Sequence, residues 1–545
     1  MPQIPNSSDT TFDVAIIGTG ISGTILGSIL ARKGFRVILL DRTHHPRFAV
    51  GESTIAQTLY LLRMLAERYS VPEIAWLGTF QDTISRVGSS HGRKSNFGFM
   101  MHRDGQEPDP AETTMLRLLD TFGAHLFRQD SDAFMFHTAI RYGCTARQDY
   151  EVQKIALRDD SVTILGADGS QYVARYLVDA SGFRSALATE LGLREEPSRL
   201  THHARSIFTH MVGVKSIEDQ VVTPPERIPP EPYASGTLHH QFDHGWMWII
   251  PFDNHPAATN PLCSVGIQLD PRHYPVNKDL SPEAEFWSHV ARFPAIGRQL
   301  ADARSVREWV RTGRLQYSAR QTAGHRWCLM SHAAGFIDPL FSRGLANTCE
   351  VINALAWRLI EALRDDDFSM ERFAYVEQLE QGLLDYNDKL VNMSFIAFAD
   401  FDLWNAVFRI WSCANSIGGK RFVKATDLSM QTGDDRHYQA LDSYPYPGLW
   451  WPVQFYAELF DEAVAICQDV AEGRTSAKSA ASVLTQKIRD ADWLIPVLGF
   501  NRPDVHFIDP SPEKMAMVRE WASQHPRPEV REYLAPGALP VGTAG

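Results

Sequence analysis

Three clusters of residues in this 545-residue chain are of types and spacings that can do chemistry. Trp246 and Trp248 stand two apart in Gly245-Trp246-Met247-Trp248-Ile249-Ile250-Pro251, so on an extended strand both rings share one face until the proline stops it. Such a face can wall a cavity, or simply fill a core. Gly18-Thr19-Gly20-Ile21-Ser22-Gly23 has the spacing of a phosphate-cradling turn. Lys94, just before Phe97-Gly98-Phe99, offers either a compact cationic donor or an amine. In the absence of other information a lone lysine reads as a solvated charge, and Arg93 beside it weakens any argument from charge alone.

The elements around the glycines are clear. Phe12 to Ile17 is a buried-strand pattern, Thr24 to Lys33 a helix stopped by Gly34, and Phe35 to Leu40 a second strand ending at Asp41. In this βαβ unit Gly18 allows the tight turn and Gly20 lets the backbone approach a pyrophosphate at the helix N-terminus. Gly23 lets helix and strand pack closely, and Asp41 can accept from a ribose hydroxyl. A dinucleotide is expected here. Three further segments favour FAD over NAD: Arg128-Gln129-Asp130 preceding an amphipathic helix, the strand and turn Tyr176 to Gly182 (through Asp179, Ala180 and Ser181), and Gly335-Phe336-Ile337-Asp338-Pro339 after the apolar strand Arg326 to Met330. They recur in this order in glutathione-reductase-like FAD folds, where an acid at the position of Asp338 can bond ribityl or ribose hydroxyls. No second Gly-x-Gly-x-x-Gly exists, so electrons are expected from outside, through a separate NAD(P)H-dependent flavin reductase.

Composition narrows the partners. A net charge of −12 without a basic block argues against nucleic acid as a ligand. The N-terminus lacks the features of a signal peptide and no apolar run approaches a membrane span, so a cytoplasmic protein is expected. Six scattered cysteines without a Cys-x-x-Cys pair fit reduced thiols and imply no metal. The expected class is α/β: a glutathione-reductase-like FAD-binding domain in two parts, 12–200 (including the Lys94 segment) and 325–362, a β-rich substrate subdomain at 201–324 with a Pro-rich loop from Pro224 to Pro232, and a helical C-terminal domain at 363–540. Helices are expected at Val351 to Arg364 and Ser369 to Leu390, followed by an aromatic run through Trp404, Phe408 and Trp411, with Val541 to Gly545 a frayed tail.

Several segments in one order carry a resemblance: His45-Pro46-Arg47-Phe48 with Gly51-Glu52-Ser53-Thr54, Lys94-Ser95-Asn96-Phe97-Gly98-Phe99, Trp246 to Pro251, and Gly335 to Gly344. Over nearly its whole length the chain resembles the flavin-dependent halogenases that act on free phenols or pyrroles, of tetracycline and aminopyrrolnitrin type. The resemblance implies FAD, supplied as FADH2, with O2 and chloride or bromide. It places cofactor contacts at Gly18, Gly20, Ile21, Ser22, Gly23, Asp41, Arg42, Gly51, Glu52, Ser53, Arg128, Asp179, Ala180, Gly182 and Asp338. A flavin C4a-hydroperoxide attacked by halide would give hypohalous acid, which Lys94 would hold across a tunnel, polarising it as an ammonium or carrying halogen as a chloramine.

The halide is expected at converging backbone amides of Ser342, Arg343 and Gly344. Arg343 either adds charge there or faces solvent. Trp246, Trp248, Phe97 and Phe341 would line the tunnel, the tryptophans keeping substrate from the peroxyflavin. Tryptophan halogenases carry Glu-Ser-Thr-Gly where this chain has Phe341-Ser342-Arg343-Gly344, so the glutamate that positions indole is missing. A phenol, activated by its own oxygen, is the substrate class this departure suits, such as an aromatic polyketide of tetracycline type. The alternatives are an FAD-dependent aromatic hydroxylase, which requires neither Lys94 nor the tryptophan strand, and a non-catalytic flavoprotein.

Overall fold

The computed structural model describes residues 10–118 and 123–534; the expected tail at 541–545 lies outside them. Two sheets organise the chain. The first runs in the order Ala323–Gly324, Trp327–Leu329, Gln171–Asp179, Thr11–Ile17, Val37–Leu40, Thr145–Arg147, with the hairpin Val152–Leu157 and Val162–Gly166 appended to Gln171–Asp179. Its central strands are parallel and their ends coincide: Ile17 pairs with both Leu40 and Asp179, and Asp179 with Leu329. Residues 18, 41, 180 and 330 therefore emerge together at the carboxyl edge, where open α/β sheets bind ligands.

The strand Thr11–Ile17 and the helix Ile21–Arg32 match the expected unit, although the helix begins three residues earlier than its polar start suggested and the second strand is shorter, Val37–Leu40. Gly23 explains the early start. A Cβ there would lie 2.1 Å from the Gly18 carbonyl oxygen and 3.1 Å from Ile16 Cγ2, so the first helical turn rests directly on the strand. Gly18 adopts φ +105°, and a Cβ on it would stand 2.5 Å from the Ala180 carbonyl oxygen. Only glycine fits either position.

The second sheet runs Arg304–Ser305, Arg205–Val212, Cys263–Leu269, Gly245–Pro251, Thr237–Phe242, Asn96–Met101, Thr113–Arg117, Phe507–Ile508. Sheet membership does not follow the expected segment boundaries. Asn96–Met101 and Thr113–Arg117, from the first segment, complete the sheet otherwise built from 201–324, and Phe507–Ile508 joins from the far C-terminal region. Residue 94 ends its own short strand, Gly92–Lys94, paired antiparallel with Gly123–His125 between the sheets.

Helices dominate after residue 343: Gly344–Asp365, Met370–Ala397, Phe401–Ile417, Lys420–Thr432, Gln454–Ala471 and Ala477–Asp490 among others. The first of these starts at Gly344 rather than Val351, which changes the reading of the halide segment. One apolar core joins Ile16 and Val178 of the first sheet, Phe97 and Trp246 of the second, and Trp404, Phe408 and Trp411 of the helical region. No helix among the described residues is long and apolar enough to cross a membrane.

Candidate active site

The glycine turn is braced from within. Asp41 Oδ2 accepts from Thr19 N and Thr19 Oγ1 at 2.7 Å each, and Oδ1 accepts from Thr43 N and Thr43 Oγ1 at 2.8 Å each. Burial pushes the Asp41 carboxyl up, but Arg47 and these donors outweigh it and hold the group below its usual range. A ribose hydroxyl could therefore be accepted only in place of one of these donors. Arg42 beside it is exposed.

Gly20 behaves unlike its two neighbours. A Cβ on it would meet nothing closer than Arg47 Nη2 at 3.6 Å and Asp132 Oδ2 at 3.8 Å, so the protein's own packing does not require glycine there. The space lies at the N-terminus of Ile21–Arg32, which has no acidic residue in its first turn and no side-chain cap, and the nearby buried Arg47 Nε has no partner. A bare helix terminus, an open approach and an unpaired guanidinium nitrogen fit a pyrophosphate, and so fit a flavin dinucleotide held by Gly18 to Gly23, with Ile21 buried and Ser22 half-buried.

Other expected contacts divide. Arg128 does not precede a helix; it is the first residue of Arg128–Arg141. Its Nη1 donates to the carbonyls of Val50 (2.8 Å) and Gly51 (3.2 Å), while Nε and Nη2 grip Asp132, so it fixes the Gly51–Ser53 loop against that helix. Asp179 is consumed internally: Oδ1 accepts from Ser181 N and Oγ, Oδ2 from Ser185 Oγ and Leu187 N. Its carboxylate shapes the Ala180–Gly182 turn and has no lone pair left for cofactor. Glu52 is likewise engaged, its Oε1 accepting from buried His210 Nε2 at 2.8 Å. Arg307 Nε donates to His210 Nδ1 at 3.0 Å, which fixes the neutral imidazole with its proton on Nε2. Asp338 keeps one oxygen free. Its Oδ1 accepts from Leu340 N, and the fully buried Oδ2 has no hydrogen-bond partner, lying 3.5 Å from His202 Nε2.

Lys94 is fully buried and is no solvated charge. Its Nζ has no hydrogen-bond partner and lies 3.4 Å from the centroid of the Phe97 ring. Gly123 opposite it leaves little room, a Cβ there falling 2.9 Å from Thr54 Oγ1 and 3.7 Å from Lys94 Cβ. Two histidines unforeseen in the sequence share this environment. His125 pairs through Nδ1 with the Pro251 carbonyl and through Nε2 with Thr237 Oγ1; burial pulls it down to about 3. His239 stacks between Phe97 and Phe99, its Nδ1 3.0 Å from the Gly98 carbonyl oxygen, and is lowered for the same reason. Both rings are neutral. Ser53 Oγ reaches Thr237 Oγ1 at 2.8 Å, so the Gly51–Ser53 loop connects the dinucleotide side to the Lys94 side.

Burial alone pulls the Lys94 ammonium well below its usual value. Between that depressed value and about 10.4 the unfolded chain holds a proton that the native chain lacks, so stability rises with pH through that window and is penalised below it. Lys94→Met should therefore raise the urea midpoint at neutral pH and flatten its rise toward alkaline pH relative to wild type. Parallel pH profiles of the two proteins would show the amine to be fully charged in the fold.

Trp246 and Trp248 do share a face, with ring centroids 5.7 Å apart. Trp248 Nε1 donates to Ser264 Oγ at 3.1 Å, and Gly266 makes its room, a Cβ there falling 2.1 Å from Trp248 Cζ2. Trp246 packs 5.3 Å from the His239 ring. Phe341 lies 4.8 Å from Trp411, which in turn stands edge-on to Phe97 at 5.5 Å. The tryptophan strand, Lys94 and Phe341 thus belong to one continuous aromatic body.

Gly344 does not open a turn; it is the first residue of a 22-residue helix, and Ser342 before it is left-handed at φ +51°. The amides of this uncapped terminus point out of the helix and suit an anion. Arg343 meets neither expectation for its side chain. The guanidinium is buried against the helical region, its Nη2 donating to the Gly448 carbonyl at 3.1 Å, with Glu350 3.9 Å away and the Trp450 ring 4.2 Å beneath it. It is turned neither to solvent nor outward at the helix terminus, which leaves the backbone amides as the groups that could take an anion.

Residues 99–407 match the tryptophan halogenase family. The chain belongs to that family. It is 65% identical over 538 residues, 98% of this chain and 97% of the relative, to tetracycline 7-halogenase of Kitasatospora aureofaciens. It is 44% identical over 534 residues, 96% and 94% of the two chains, to monodechloroaminopyrrolnitrin halogenase PrnC of Pseudomonas fluorescens. The crystal structure of halogenase PltM in complex with phloroglucinol and FAD superposes with a TM-score of 0.88 at 37% identity, over 91% of this chain and 99% of that one. This halogenase uses FAD, O2 and halide, and has the FAD fold with a second sheet and a helical C-terminal region that the glycine turn and later segments implied. When bound, the flavin supplies the oxidising power. A hydroxylase and a non-catalytic flavoprotein are set aside by this membership. As a member it works on a small molecule with flavin reduced elsewhere.

Proposed function

We propose that the halogenase chlorinates or brominates an electron-rich phenolic polyketide of tetracycline type, at a carbon ortho or para to a hydroxyl, with Lys94 carrying the oxidised halogen. The observation that carries this reading is Lys94 itself: a fully buried amine with no hydrogen-bond partner among the described residues, set in an aromatic wall. Burial favours the neutral amine, which can take halogen from hypohalous acid as N–Cl or N–Br, or accept its proton; the ring of Phe97 eases the charge that follows. The 65% identity to an enzyme named for tetracycline supports the substrate class, as does Phe341 in place of a glutamate. Halide would enter at the amides of Ser342–Gly344, and FADH2 would come from a separate NAD(P)H-dependent reductase in the cytoplasm.

The test is product mass spectrometry with FAD, NADH, a flavin reductase, and chloride or bromide, offering tetracycline, phloroglucinol and tryptophan in parallel. Halogenated tetracycline is expected, at a rate at least 100-fold that of tryptophan. Faster turnover of tryptophan than of either phenol would overturn the reading.

A further inference from the structure

At the end of the tryptophan strand opposite Pro251, two loops bring metal-ligating side chains together. Asp243 and His244 form the hairpin between Thr237–Phe242 and Gly245–Pro251, and Asp270 to His273 follow the neighbouring strand Cys263–Leu269. One nitrogen each of His244 and His273 and one carboxylate oxygen of Asp270 lie within 4.8 Å of one another, the one such set of three among the described residues. The imidazoles stack face to face, centroids 3.4 Å apart and planes 6° from parallel, and Asp243 Oδ1 stands 3.4 Å from His244 Nε2. Asp270 is buried, His244 half-buried and His273 exposed, so the cluster has a carboxylate floor and opens to solvent past a ring.

The backbone holds this arrangement. Gly245 pairs with Leu269, Asp270 N donates to the His244 carbonyl at 3.0 Å, and His273 N and Tyr274 N donate to the Asp270 carbonyl at 3.1 and 2.7 Å. Tyr274 Oη donates to the Asp243 carbonyl at 3.0 Å and joins the loops a second time. His244 itself is left-handed at φ +61°, which a residue with a Cβ keeps only where its surroundings impose it. Arg272 competes for the carboxylate. Its Nε and Nη2 grip Asp270 at 2.6 to 3.0 Å, while its backbone N donates to Oδ1 at 2.9 Å. The side chain is 51% exposed, so the guanidinium can turn to water at small cost while the backbone bond keeps the carboxylate oriented. It already supplies at Asp270 the positive charge that a metal ion would replace.

We propose that His244, Asp270 and His273 bind one transition-metal ion, with Asp243 in reach as a fourth ligand, and that the ion clamps the hairpin entering the tryptophan strand to the segment leaving its neighbour. Two imidazoles and a carboxylate suit Zn2+, Ni2+ or Cu2+, whereas Mg2+ and Ca2+ prefer oxygen ligands throughout. Ligand atoms about 2.1 Å from a tetrahedral ion are about 3.4 Å apart, so the set must close by about 1 Å. The exposed His273 ring supplies that movement, turning out of the stack to aim its lone pair at the ion. None of the four residues belongs to the flavin or Lys94 groups described above, and the inference is independent of the phenolic reading.

The test uses the FAD-loaded full chain, with Zn2+ followed by calorimetry and Cu2+ by electron paramagnetic resonance. One Zn2+ per chain should bind and raise the thermal midpoint, and the Cu2+ spectrum should show coupling to two nitrogens. His273→Ala and His244→Asn, the second chosen because asparagine tolerates the left-handed backbone, should each weaken Zn2+ on the order of 100-fold and leave one coupled nitrogen, with FAD affinity unchanged. Arg272→Gln should tighten Zn2+ about tenfold, because a competing positive charge leaves the carboxylate. That gain distinguishes a built site from an ion resting on surface histidines. A wild-type Zn2+ affinity weaker than about 100 μM would overturn the inference. So would Zn2+ binding that both histidine variants keep intact, a Cu2+ spectrum without nitrogen coupling, or an Arg272→Gln protein that binds Zn2+ no more tightly than wild type.

Discussion

Lys94→Met should abolish halogenated product, by a factor on the order of 10³ or more, while FAD binding and reductase-driven oxygen uptake continue. The expectation follows from position. Lys94 ends a short strand, and its Nζ lies over the Phe97 ring with no hydrogen bond to any described residue, so no polar tie of the fold depends on the amine. Methionine fills nearly the same volume without a nitrogen, so the fold should survive while the halogen finds no amine to receive it. Hypohalous acid, formed upstream of the lysine, would then escape to solvent in place of product. Lys94→Arg should fail as well, since a guanidinium is larger than the space over Phe97 and is a poor nucleophile. Product yield measured beside free hypohalous acid, trapped by an added scavenger in the same sample, decides the matter. Wild-type product from Lys94→Met would move the role of halogen carrier to another residue, and parallel loss of FAD would make Lys94 structural.

How much of this could be read from the chain depends on how local the cause is. The glycine turn was legible because strand, turn and helix are consecutive, and each glycine answers to a neighbour within a few residues or to the parallel strand beside it. The double tryptophan was legible as a shared face because alternation in a strand is a local rule. What failed was direction at long range. Arg343 looks in the sequence like charge offered to a halide, but its partners Gly448 and Trp450 lie about a hundred residues on and turn it inward. Glu52 looks like an unengaged carboxylate in the sequence, but the second sheet brings His210 to its Oε1, with Arg307 behind that ring. Asp179 ends its strand in the expected place, yet the turn it shapes consumes every acceptor it has. His125 and His239 carried no motif, and only the pairing of Gly92–Lys94 with Gly123–His125 and of Asn96–Met101 with Thr237–Phe242 makes them neighbours of the lysine.

The glycines permit a sharper experiment than their motif suggests, because the structure assigns them different causes. Gly23→Val should prevent folding: its first added carbon already falls 2.1 Å from the Gly18 carbonyl oxygen, and neither the strand nor the first helical turn can retreat without parting the central pair of the sheet. Gly18→Val meets the Ala180 carbonyl oxygen at 2.5 Å from a backbone held at φ +105°, so it should fail in the same way. Gly20→Val should behave otherwise. Its Cβ has 3.6 Å to Arg47 Nη2 and its φ of −69° is open to any residue, so the cofactor-free protein should fold with a urea midpoint shifted by less than about 1 kcal/mol in stability. FAD affinity should nevertheless fall at least 100-fold, because the side chain occupies the approach of the pyrophosphate to the helix terminus. Calorimetry with FAD, read beside urea unfolding of the same samples, separates the two behaviours. If Gly20→Val binds FAD like wild type, the pyrophosphate does not lie on this turn; if it unfolds like Gly23→Val, the open space at Gly20 is required by the fold and not by the flavin.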